Sequence, residues 1–188
     1  MSLHMRGVLA VGGLLGSLLL ARPSRADLPV NFQAPHSVRA PRAIFDEDFS
    51  RSVETRIKDA RIGSVDELRR FSLDVAATSL HFGLGHKTTL RFGTTEREGN
   101  CIEYAHLFAS VFNRAAERKH IAGRAYVVHS DARVLGRKLP IRGLDDHDWV
   151  LVAPNDPAST RLFVDPTFYD LGLDWDISRS VSGEVRTP

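Results

Sequence analysis

Three residues suited to acyl-transfer chemistry stand in well-marked surroundings. They are Cys101, the only cysteine in 188 residues, within GNCIEYAHLFASVF; His147, within DHDWVLV; and Asp165, within LFVDPTF. A thiolate can attack an amide carbonyl, an imidazole can protonate the leaving amine, and a carboxylate can fix the imidazole's tautomer and steady its charged form. Asn100 and Glu103 form an N-capping pattern, which predicts that Cys101 opens a helix. The free N–H groups and positive dipole end there favour a thiolate. The same amides, that of Cys101 included, can donate to an acyl oxyanion. Asn100 is a second candidate donor, unless capping occupies its side chain.

The elements must then bring His147 and Asp165 to the sulfur. HDWVLVAP and TRLFVDPTF read as neighbouring strands around the loop PNDPAS, with GRAYVV a third. If Ala153 pairs with Thr160, His147 falls within one residue of Asp165. Directly opposed residues lie about 4.5–5.5 Å apart, and a one-residue slip exchanges the faces. Trp149 shares the His147 face and is a candidate wall of the site. Upstream, residues 51–60 and SVDELRRFSLDVAATSL (64–80) carry helical periodicity, the second with Leu68, Phe71, Val75 and Ala76 as its apolar stripe. The third helix has Ile102, Ala105, Phe108, Ala109, Phe112 and Ala116 as its buried face, and Gly99 lets the chain turn into it. Helices followed by an antiparallel sheet predict an α+β fold. Residues 129–146 read as a long connection.

In their order and surroundings these motifs resemble the transglutaminase-like superfamily. GNCIEYAHLFASVFNRA, GRAYVV, DHDWVLV and LFVDPTF span roughly residues 97–170. The resemblance implies a papain-like core, as in bacterial transglutaminase-like cysteine peptidases, with the cysteine-headed helix packed on a small antiparallel sheet. It implies Cys101 as nucleophile, His147 as general acid/base and Asp165 as orienting acid. Asp148 departs from the family's usual alanine between histidine and tryptophan. It is expected either to raise the His147 pKa or to point to solvent.

Composition bounds the rest. Residues 1–26 read as a signal peptide, with a basic start, the apolar run GVLAVGGLLGSLLLA, and Ser24 and Ala26 at the −3 and −1 positions. The run is shorter than the ~20 residues of a spanning helix, so no stable membrane insertion is expected after cleavage. This leader takes three of the 25 basic residues and none of the 23 acidic ones, so the remainder carries a formal charge of −1. No basic stripe with interleaved aromatics exists, and nucleic acid is not an expected partner. Residues 27–43, with three prolines, read as an extended arm, 44–173 as the transglutaminase-like domain, and 174–188 as a flexible tail.

A lone cysteine can be a small buried hydrophobe. In an exported protein, periplasmic or secreted, an unpaired thiol is a liability unless it has a use. His106 lies off the apolar stripe and reads as solvent-facing. His81, His86, His120 and His129 match no metal-ligand spacing, so neither metal nor cofactor is expected. The absence of Gly-x-Ser-x-Gly disfavours a serine hydrolase. The expected activity is cysteine-dependent hydrolysis of a peptide, protein or cell-envelope amide, or acyl transfer through the same thioester. The alternative is a binding or assembly module of the same fold that grips such a ligand without turning it over.

Overall fold

The helix that begins at Cys101 is buried almost all round, and the other elements are arranged about it. The computed structural model describes residues 30–33, 35–83, 85, 87–134, 136–138, 146–155 and 160–187. The leader, His86, Asp145 and most of PNDPAS lie outside them. In chain order the strands and helices are β1 (Val30–Phe32), β2 (Ser37–Arg39), β3 (Ile44–Phe45), α1 (Glu47–Asp59), α2 (Val65–Ser79), β4 (Leu80–Phe82), β5 (Arg91–Phe92), β6 (Arg97–Gly99), α3 (Cys101–Lys119), β7 (Arg124–Val134), β8 (Arg137–Lys138), β9 (Asp146–Ala153), β10 (Leu162–Val164) and α4 (Pro166–Asp170). The fold is α+β. No described helix is long and apolar enough to cross a membrane.

Helix α3 packs against α2 on one side and against β7 and β9 on the other. Alongside the expected Ala105, Phe108, Ala109, Phe112 and Ala116, it therefore also buries Tyr104, Leu107, Val111 and Ala115. The apolar stripe predicts only part of this, because the helix has two packed faces. Val127, Val150, Val152 and Val164 meet it from the sheet and complete the main core.

The sheet runs β1-β7-β9-β10, with β2 and β8 also on β7. Two stretches are drawn into the sheet. Within the expected extended arm, β1 and β2 are strands of the sheet, pairing with β7 at Phe32↔Ala132 and Val38↔Val128. The connection expected from residue 129 is in large part strand, since β7 continues to Val134 and β8 folds back on it.

The opposite sheet face carries a second core of Phe32, Val128, Trp149, Leu151, Ile177 and Val185. The C-terminal segment covers it and so corrects the expectation of a flexible tail. Phe32 N–H donates to Ser180 O and Ser182 N–H donates to Phe32 O, both at 2.8 Å, and Ile177 N–H donates to Phe163 O at 3.1 Å. Ile177 and Val185 are only 2% and 4% exposed.

His106 is also corrected. It is buried, and its Nδ1 accepts the backbone N–H of Arg42 at 2.9 Å. Burial lowers its pKa to about 4, helped by the charges of Arg39 and Arg42 and opposed by Asp148. The unfolded ring titrates near 6.5. Between those values the unfolded chain takes up a proton that the folded chain refuses, so the contribution is complete above the upper value and lost as pH falls toward the lower. The full effect is about 3 kcal/mol. We expect His106→Gln to flatten the loss of stability between pH 7 and 4.5 in denaturant titrations. An equally steep loss in the variant would assign it to other groups.

Candidate active site

The start of α3 is heavily braced. Asn100 Oδ1 accepts from the N–H groups of Ile102 and Glu103 at 3.1 and 3.4 Å, and Glu103 Oε2 accepts from Asn100 N–H at 3.0 Å. This is the expected capping box. The buried Glu103 carboxylate also accepts from Thr89 N–H at 3.0 Å and from Arg97 Nη1 at 2.5 Å. The loop before the helix is thereby tied to its first turn. Gly99 serves a different purpose from the one expected. It sits in β6 and is absent from the positive-φ residues; a Cβ there would lie 3.0 Å from Leu80 Cδ1. Close packing against α2's end, not a sharp turn, calls for glycine.

Asn100 is not placed to be an oxyanion donor. Its oxygen caps the helix and its amide nitrogen donates to Thr88 Oγ1 at 2.7 Å. The cap takes the amides of Ile102 and Glu103 and leaves that of Cys101. Cys101 as a residue is part-exposed.

His147 stands at the start of β9, 13% exposed, with Nε2 2.7 Å from Asp165 Oδ2. The Cys101 side chain lies near enough to the ring to stabilise its charged form. With Nε2 committed to the carboxylate, Nδ1 is the ring nitrogen left for sulfur. The imidazole stacks on Phe32, with ring centroids 5.5 Å apart at 24°, and lies 5.8 Å from Phe168. Burial works against the charged ring. Attraction to Asp165 and to the nearby Cys101 side chain outweighs it, and the His147 pKa is held well above the ordinary imidazole value.

Asp165 is fully buried and divides its two oxygens between two tasks. Oδ1 caps α4, accepting from Thr167 and Phe168 N–H at 3.0 and 3.2 Å, while Oδ2 faces His147. The strand register differs by one residue from expectation. Val164 pairs with Val150, and Phe163 with Leu151. Continued by one residue, this places Asp165 across from Trp149 and diagonal to His147, on one face. The expected register would have set it opposite Asp148, on the wrong face.

Trp149 shares that face but is wholly buried, so it does not line an open site. Its Nε1–H donates to Ser130 Oγ at 2.8 Å, and its ring packs on Phe163 and Phe32. It backs the ring that stacks on His147. Asp148 does not point to solvent. It is 1% exposed, 2.6 Å from Arg39 Nη2 and 2.6 Å from His129 Nδ1. These partners absorb its charge, and it is not among the groups that perturb His147.

Three of the histidines weighed as metal ligands lie among the described residues. His81 lies near Glu96, His120 follows α3 at its far end, and His129 is paired with Asp148. Among the described residues no group of three His, Cys, Asp or Glu side chains could hold a metal ion. A cleft of about 350 Å³ opens beside Phe168, lined also by Val30, Ile177 and Arg179. A larger one of about 630 Å³ lies at the opposite end of α3, and neither cleft is lined by Cys101, His147 or Asp165.

Sequence reasoning missed Phe32 and Phe168. An aromatic residue three beyond Asp165 was a usable signal for the second. Nothing local marks Phe32. No protein-family model matches the chain, and no curated protein or solved structure matches it. The functional reading therefore rests on the site itself.

Proposed function

We propose that this protein is a cysteine-dependent amide-bond hydrolase or acyl transferase of the transglutaminase-like, papain-like kind, acting after export to the periplasm or outside the cell. The observation that carries the reading is the buried His147–Asp165 pair, 2.7 Å apart, with the Cys101 side chain near enough to stabilise the imidazolium.

The raised pKa of His147 favours the imidazolium at neutral pH, which is the form that can donate a proton. The Cys101 sulfur attacks the carbonyl carbon, and the carbonyl oxygen becomes an oxyanion facing the Cys101 N–H, which the Asn100 cap does not take. His147 gives its proton to the amine as the C–N bond breaks, leaving a thioester. The now neutral imidazole takes a proton from the incoming water or amine, whose attack releases the acyl group and restores the sulfur. Water gives hydrolysis and an amine gives transamidation. Asp165 keeps the ring's Nε2–H turned away from the sulfur throughout. Metal and cofactor have no assigned part in these steps.

Iodoacetamide alkylation tests the activated thiol directly, because Cys101 has no competing cysteine. We expect modification at pH 6 to be much faster than for a free thiol, and incubation with peptide or envelope extracts to leave an acyl adduct on Cys101 detectable by mass spectrometry. Alkylation at the free-thiol rate would remove the basis of the reading.

A further inference from the structure

Tyr104 lies three residues beyond Cys101 on α3, which places it on the same side of the helix one turn further along. It is fully buried. Its hydroxyl donates to Asp170 Oδ2 at 2.6 Å. Asp170 is the last residue of α4, whose other end is capped by Asp165. A helix of five residues has almost no stability of its own, so what fastens its ends decides where it lies. One end holds His147 through Asp165, and the other is fastened to the cysteine helix through Tyr104. Tyr169 adds a tie to α2 by donating to Asp74 Oδ1 at 2.5 Å.

The links run from Cys101 along α3 to Tyr104, across to Asp170, back along α4 to Asp165, and on to His147. The Cys101 side chain influences that same ring. Resting on the triad reading above, we propose that Tyr104 is a positioning residue. Its bond to Asp170 fixes α4 against α3 and so sets the spacing between Cys101 and the His147–Asp165 pair. Tyr104 touches none of the reacting atoms. A buried hydroxyl needs a partner, but the partner here is the end of the helix that carries the orienting acid. A misplacement of about 1 Å at a reacting pair can cost on the order of 10²-fold in rate.

The test compares Tyr104→Phe, which keeps the ring and removes the bond, with Asp170→Asn, which keeps an acceptor oxygen for the hydroxyl. Two readouts are taken on the full chain: Cys101 alkylation by iodoacetamide at pH 6, and titration of His147 by NMR. In Tyr104→Phe, alkylation is expected to fall roughly 10- to 100-fold, with the His147 titration moving down toward that of an ordinary imidazole. Asp170→Asn should stay close to the native chain in both. If Tyr104→Phe fails to fold, Asp170→Ala breaks the same bond from its part-exposed side and is read the same way. A lower melting temperature with the His147 titration unmoved would make the bond merely structural and overturn the proposal. Free-thiol alkylation of the native chain, with His147 still shifting in Tyr104→Phe, would sink the catalytic reading and leave the positioning role standing.

Discussion

Cys101→Ala is expected to abolish amide turnover, by on the order of 10⁴-fold or more, while leaving the fold intact. The residue is part-exposed and contributes to neither core. Alanine is the best helix former, and the Asn100–Glu103 brace does not involve the side chain at 101. The change in stability should therefore stay within about 0.5 kcal/mol, as for surface substitutions. Turnover of an acyl-trapped substrate, measured beside a denaturant titration, separates the two effects. The same variant addresses the rival reading. A module that only grips its ligand would keep its full biological effect without the sulfur, and that result would displace the enzyme.

Asp165 should show the second large effect, and two substitutions divide it. An amide has one acceptor oxygen where the carboxylate has two. In Asp165→Asn, the oxygen turned to Thr167 and Phe168 keeps the α4 cap but sets an NH₂ against the Nε2–H of His147. Turned the other way, it serves the ring and loses the cap. Asparagine is a good N-cap, so we expect near-native stability, with kcat reduced by roughly 10³- to 10⁴-fold, as when a triad carboxylate becomes an amide. Asp165→Ala loses the cap, at about 0.5–2 kcal/mol. It also leaves a buried imidazolium without its partner, a change of the kind that costs about 3–5 kcal/mol. A folded Asp165→Asn variant with native kcat and an unmoved His147 titration would show that the carboxylate has no orienting role.

How much of this was legible in the sequence depended on whether the signal was local. Asn100, Cys101 and Glu103 are neighbours, and a capping box is written within four residues. The α+β order of elements was also readable from changes in period. The hairpin register was not, because the loop length between Ala153 and Leu162 does not choose between pairings one residue apart. His106 and Asp148 were misread for a shared reason. Polar residues beside an apolar stripe are taken to face water, and that fails where their partners (Arg42 N–H, Arg39 and His129) come from other segments of the chain. The C-terminal segment misled in the same way. Ile177, Val181 and Val185 are isolated among polar residues, and only the sheet face opposite reveals what they cover.

Phe32 joins the two ends of the described chain. It stacks on His147 and is held by backbone bonds from Ser180 and Ser182. A nascent polypeptide can make the cysteine helix early, but it cannot close the second core until about residue 182 has been synthesised. The base thus gains its aromatic seat last, and a ribosome-bound chain carries its thiol without a finished imidazole mount. Any reactivity would then wait for the segment that carries Ser180 and Ser182.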